Sequence, residues 1–114
     1  MVKTVSLKKN DDFQYVFKNA VVKGSGILTV FVVQKSDVDE LNRLGITVSK
    51  KMGKAVVRNR LRRRIKEAFR TFEKDLVGGH DIVILPKPDL AAACFSDIVQ
   101  NLKKLMQRQG LING

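Results

Sequence analysis

Apolar positions recur along this 114-residue chain at two different spacings, and the changes of spacing divide it into elements. Phe13, Val16, Phe17 and Ala20 lie at helical intervals and predict a short first helix with one aromatic-rich face. Asn10 stands where an N-cap is expected, and Asp11 and Asp12 follow in a first turn that favours negative charge. The aromatic face suits a core, as most such faces do, and it also suits a groove in which unpaired bases stack. A turn signal over Lys23, Gly24, Ser25 and Gly26 precedes residues 27–33, whose β-branched side chains and Phe31 predict a strand. Asp37, Asp39 and Glu40 lie in a polar stretch that lacks the glycine and terminal glutamate of a calcium loop, so it reads as a solvated hairpin connection. Residues 44–49 then alternate, with Leu44, Ile46 and Val48 on one face and Gly45, Thr47 and Ser49 on the other. That second face is small and polar, open either to solvent or to a ligand.

The longest periodic stripe runs through Val57, Leu61, Ile65, Ala68, Phe69, Phe72 and Leu76, which predicts a helix over residues 55–76 lying on the sheet. Gly78 and Gly79 end it, residues 81–85 form a short apolar run read as a buried strand, and Pro86 and Pro88 stop that strand. A last helix starts near Ser96 on the stripe Phe95, Ile98, Val99, Leu102, Leu105 and Met106, with Gly110 as its stop. Cys94, beside the stripe, is expected as a small core residue.

With 44% apolar residues, the chain suffices for one domain with a core and is too short for two. Its single cysteine excludes an internal disulfide and a four-thiolate metal site and fits a reducing, intracellular compartment. No apolar run approaches the length of a membrane span, and the first ten residues hold no signal-peptide apolar region.

Charge changes the picture more. Residues 50–70 hold ten of the 22 basic side chains and one acid, Glu67, so that segment alone carries +9 of the net +11. A field built on one segment points to a phosphate-bearing partner. Glu67 is spaced to pair with Arg63 or Arg64, yet one acid cannot neutralise Arg60, Arg62, Arg63, Arg64, Lys66 and Arg70. Arginine predominates, and its planar fork suits phosphate. Gly53 and Lys54 do not make a phosphate loop, because Ala55 stands where Ser or Thr is required. A nuclease needs a carboxylate cluster or a histidine with an acid partner. Over residues 41–72 the only carboxylate is Glu67, and His80, the only histidine, stands apart in a loop as a structural or incidental residue. Any hydrolytic groups are therefore expected to come from a partner, with no metal or cofactor held by the chain itself.

Residues 48–69, VSKKMGKAVVRNRLRRRIKEAF, together with DDFQYVFK at residues 11–18 and DIVIL at 81–85, resemble the protein subunits of bacterial ribonuclease P. Arg58, Asn59 and Arg60, following a lysine pair and a glycine at this spacing, are the specific part of the likeness. The resemblance implies one RNA-binding domain over residues 1–114, with residues 1–6 as a flexible N-terminus. It implies an α/β (α+β) sandwich of about four mostly antiparallel strands and three helices. The β-α-β crossover through the basic helix is expected to be left-handed, against the usual rule. It further implies a cytoplasmic ribonucleoprotein endoribonuclease whose RNA carries the active site and uses magnesium ions to remove the 5′ leader of precursor tRNA. By the same likeness Lys54, Arg58, Asn59, Arg60, Arg62, Arg63 and Lys66 dock on the catalytic RNA. Phe13, Phe17 and Phe31, helped by Lys50 and Lys51, then line a cleft for the single-stranded leader. Lys66 replaces the family's usual arginine, and Phe31 stands where tyrosine is frequent, which keeps the ring and drops a hydroxyl.

A ribosomal or other structured-RNA-binding protein is the alternative that the physics of the basic helix also allows. A basic-region DNA reader is disfavoured, since it requires a dimerising heptad seam and this stripe stops at Leu76 before a glycine pair. Membrane binding is disfavoured because the helix needs its apolar face for the core.

Overall fold

Alternation along the central strands sorts their side chains onto two sheet faces. The computed structural model describes residues 3–35 and 41–112. In chain order these form β1 (Lys3–Ser6), α1 (Asn10–Asn19), β2 (Val21–Gly24), β3 (Leu28–Gln34), β4 (Leu41–Ile46), α2 (Ala55–Arg70), β5 (His80–Pro86) and α3 (Phe95–Arg108). Short 3-10 turns occupy Lys50–Met52, Glu73–Asp75 and Pro88–Ala92. The strands make one sheet in the order β1-β4-β5-β3-β2. β4 lies parallel to both β1 and β5, while β3 is antiparallel to β5 and β2.

On one face, Leu28, Val30 and Val32 of β3, Ile82 and Ile84 of β5, and Leu44 and Ile46 of β4 join the larger core. The apolar stripes of α2 (Leu61, Ile65, Ala68, Phe69) and α3 (Ile98, Leu102, Leu105, Met106) close over them. Phe31, Val33 and Val83 point to the opposite face, where Leu7 and Val16 complete a smaller core beneath α1. The described residues make a single α+β unit with three helices, two on one face of the sheet and one on the other. Among the described residues no helix is long and apolar enough to cross a membrane.

Several boundaries differ from expectation for physical reasons. Among the described residues the sheet has five strands, not about four, and two of its four ladders are parallel, so it is mixed and not mostly antiparallel. Both unexpected strands are four-residue edges; Lys3–Ser6 pair with Leu41–Leu44, so the flexible N-terminus expected over residues 1–6 is replaced there by β1. The connection carrying Asp37, Asp39 and Glu40 lies outside the described residues, and the strands it joins are not a hairpin, because β5 inserts between β3 and β4. α2 ends at Arg70, and a turn with 3-10 geometry keeps Phe72 and Leu76 buried beyond it. Lys9, not Asn10, is the N-cap of α1. Val57, Phe95 and Cys94 are exposed, because each sits at or before the first turn of its helix, beyond the edge of the core.

Candidate nucleic-acid interface

The outer surface of α2 is the cationic one. Arg60, Arg63, Lys66 and Arg70 are exposed, while Arg58 and Arg62 are half-buried on the same helix. Asn59 Oδ1 accepts from Arg62 Nη1 at 2.8 Å, which aligns that guanidinium along the helix. Arg64 differs: its Nη2 donates to the Ala93 carbonyl at 2.8 Å and ties α2 to the start of α3. The expected pairing of Glu67 with Arg63 or Arg64 does not form among the described residues. Lys54 is the N-cap, the first turn contains no acid, and the positive end of the helix dipole therefore adds to the field. Gly53, at φ 135°, makes the sharp entry to this helix, and a Cβ there would meet Val57 at 3.1 Å. Lys50 and Lys51 sit exposed on the 3-10 turn just before it, where Ser49 Oγ accepts the Lys51 amide.

The three predicted aromatic residues come together on the other face. Phe17 packs edge-on against Phe31 with centroids 5.0 Å apart, and Phe13 lies 6.5 Å from Phe17. Phe13 and Phe31 are half-buried against the smaller core, whereas Phe17 keeps 37% of its surface exposed. The aromatic face of α1 is thus divided, with Val16 as core and Phe17 open. Lys8, Asn10, Gln14 and Thr47 join Phe13 and Phe17 around an open groove. Lys50 and Lys51 follow Thr47 by three and four residues, which keeps them within about 10–14 Å of it even on a fully extended chain.

The groove has a seat that requires glycine. A Cβ on Gly45 would lie 2.5 Å from Cε1 and Cζ of Phe13, so the ring rests directly on the β4 backbone. Gly45→Ala is expected to push the ring outward and cost about 1–3 kcal/mol of stability. Urea unfolding and the Phe13 ring resonances measure this, and no change in either would mean that the ring is not seated there.

Residues beyond the expected set hold α1 in place. Arg43 of β4 donates from Nε and Nη2 to Asp81 Oδ1 and Oδ2 at 2.8 and 2.6 Å, and from Nη1 to Asp12 Oδ2 at 3.2 Å. Asp81 is 2% exposed. Its hydrogen bonds hold the Arg43 guanidinium's pKa above the ordinary arginine value, against the opposing effect of burial. The sequence signal was present but faint: Arg43 and Asp81 are lone charges in apolar strands, and only the β4–β5 register makes them partners. His80, expected in a loop, begins β5; its backbone amide donates to Oδ1 of the buried Asn42 at 2.9 Å, while Nδ1 of its half-buried imidazole has no hydrogen-bond partner among the described residues. Among the described residues no three His, Cys, Asp or Glu side chains are grouped to hold a metal ion.

Comparisons with known proteins agree with this geometry. A family model described as Ribonuclease P matches residues 1–110. The ribonuclease P protein component of Clostridioides difficile is 40% identical, over 93% of this chain and 92% of its own length. That of Clostridium acetobutylicum is 35% identical over 93% and 89%. Among solved structures, the RNase P protein of Staphylococcus aureus superposes with a TM-score of 0.83 at 29% identity, covering 95% of this chain and 97% of that one. The Thermotoga maritima protein gives 0.80 at 30% identity, covering 96% and 99%. The match spans both the cationic helix and the aromatic groove: the chain belongs to the ribonuclease P protein family, the protein subunits of the ribonucleoprotein endoribonuclease that processes tRNA.

Proposed function

We propose that this chain docks on the catalytic RNA of ribonuclease P through the exposed cations of α2 and holds the 5′ leader of precursor tRNA in the α1 groove. The observation that carries this reading is the separation of the two surfaces on opposite faces of one sheet. α2 is fixed by its buried stripe, so its cations form a rigid array suited to a folded RNA. The groove offers an exposed ring, flanking hydrogen-bonding groups and nearby lysines. Stacking with backbone charge takes an unpaired strand with little demand on its sequence, as an enzyme meeting many different leaders requires. Family membership favours this over the ribosomal alternative.

In this reading the RNA supplies the catalytic centre and its magnesium ions, the protein binds no cofactor of its own, and the complex works in the cytoplasm. The protein's part is to neutralise phosphate and to add leader affinity. The test is reconstitution with a bacterial ribonuclease P RNA at low magnesium. The purified protein should stimulate leader release and release none alone; cleavage by RNA-free protein would falsify the cofactor role. In the same assay Phe17→Ala should lower affinity for precursor tRNA by about 1–3 kcal/mol, the worth of one stacked base. Affinity for mature tRNA should hold, and equal losses for both would make the ring merely structural.

A further inference from the structure

The side of β4 that faces α1, continued one residue past its end, presents Arg43, Gly45 and Thr47 at two-residue intervals. Each meets α1 differently. Thr47 borders the groove, Gly45 seats Phe13, and Arg43 grips Asp12, the residue immediately before Phe13. The grip is directional, because both oxygens of Asp81 engage the planar guanidinium and leave Nη1 aimed at one place. Asp81 lies buried on the central strand β5, so the fork cannot swing. Besides this grip, α1 is held by a small apolar cluster, which resists separation but constrains rotation weakly, and by Lys35 Nζ lying 4.2 Å over the exposed Tyr15 ring, a contact weaker than a charge-assisted hydrogen bond. Rolling α1 about its axis would lift Phe13 from Gly45 and turn Phe17 away from Phe31.

We propose that Arg43 is the positioning residue of the groove: forked on Asp81, it pins Asp12 and so sets the roll of α1 that places Phe13 and Phe17. The proposal deepens the reading of this groove as the leader site and rests on it.

The test uses holoenzyme reconstituted with a bacterial ribonuclease P RNA, carrying Asp12→Asn or Arg43→Lys. The readout is the ratio of affinities for a tRNA with and without a single-stranded 5′ leader. Both variants should lower this ratio by about tenfold, the low end of the worth of one hydrogen bond to a charged group. Affinity for the leaderless tRNA should stay at the wild-type value, whereas a folding defect would lower both. Asp12→Glu, which keeps the charge, should recover part of the loss. The double variant should lose little more than either single one, because both cut the same link. In the free protein, the Gly45 α-protons report the Phe13 ring above them and should shift when the link is cut. If Phe17→Ala lowers the ratio and Asp12→Asn does not, the positioning role is overturned while the leader site stands. If Phe17→Ala also leaves the ratio unchanged, the leader site fails and the Gly45 protons decide: unmoved, they overturn the positioning role too. Asp12 is half-exposed at its helix end, so Asp12→Asn keeps the test decisive should Arg43→Lys not fold.

Discussion

Replacing Arg60, Arg63 and Lys66 together with alanine is expected to weaken binding to the catalytic RNA on the order of a thousandfold, with the fold intact. All three are exposed and spaced three residues apart on α2, so they lie on adjacent outer positions of the helix and contribute nothing to its buried stripe. One hydrogen bond to a charged group contributes about 1.5 kcal/mol at the low end of its range, and three such losses give that factor. The signature is in the salt dependence. Each phosphate contact contributes about 0.7–0.9 to the slope of log affinity against log salt, so the variant's slope should be shallower by about 2–3. Urea unfolding of the free protein should be unchanged or slightly improved, since each like-charge pair removed relieves a few tenths of a kcal/mol. A thousandfold loss with an unchanged slope would mean that these cations act through the fold and do not touch phosphate.

The same helix illustrates what could be read from residues alone. Its stripe through Leu61, Ile65, Ala68 and Phe69, and that of α3 through Ile98, Leu102, Leu105 and Met106, are long enough for periodicity to fix their faces. The edge strands offered no such signal: β1 and β2 have four residues each, and β2 is exposed at every position. The expected hairpin between β3 and β4 failed for a non-local reason, since β5 lies far later in the chain and enters between them. In the site, charge density located the cationic helix and helical spacing put Phe13 and Phe17 on one face, whereas Phe31 joined them only through the family resemblance. Sequence left open whether those rings were core or cleft, because Val16 and Phe17 are neighbours in the chain with opposite fates. Arg43 and Asp81 stood 38 residues apart, and nothing short of the strand register could pair them.

Phe69→Ala should fail in the opposite way to the triple cation variant. Phe69 is 1% exposed, with its ring 5.6 Å from that of Phe72, and it anchors the middle of the larger core. Truncating a buried phenylalanine costs about 3–5 kcal/mol, because the cavity closes only in part. Small domains hold about 5–15 kcal/mol in total, so the free variant should show a sharply lower urea midpoint. Its exposed cations are all retained, so the folded fraction should bind the RNA with normal affinity and a normal salt slope. RNA binding then restores stability by mass action, up to about 2.7 kcal/mol at a hundredfold excess over Kd. The restoration should fall short of that value, since a segment carrying +9 also attracts RNA when unfolded. Leader release by Phe69→Ala should therefore be poor at low RNA concentration and approach the wild-type rate as RNA is raised. The triple cation variant, stable but short of contacts, should need far more RNA at every salt concentration. If added RNA leaves the Phe69→Ala midpoint unmoved, α2 is not a docking surface that depends on the folded core behind it.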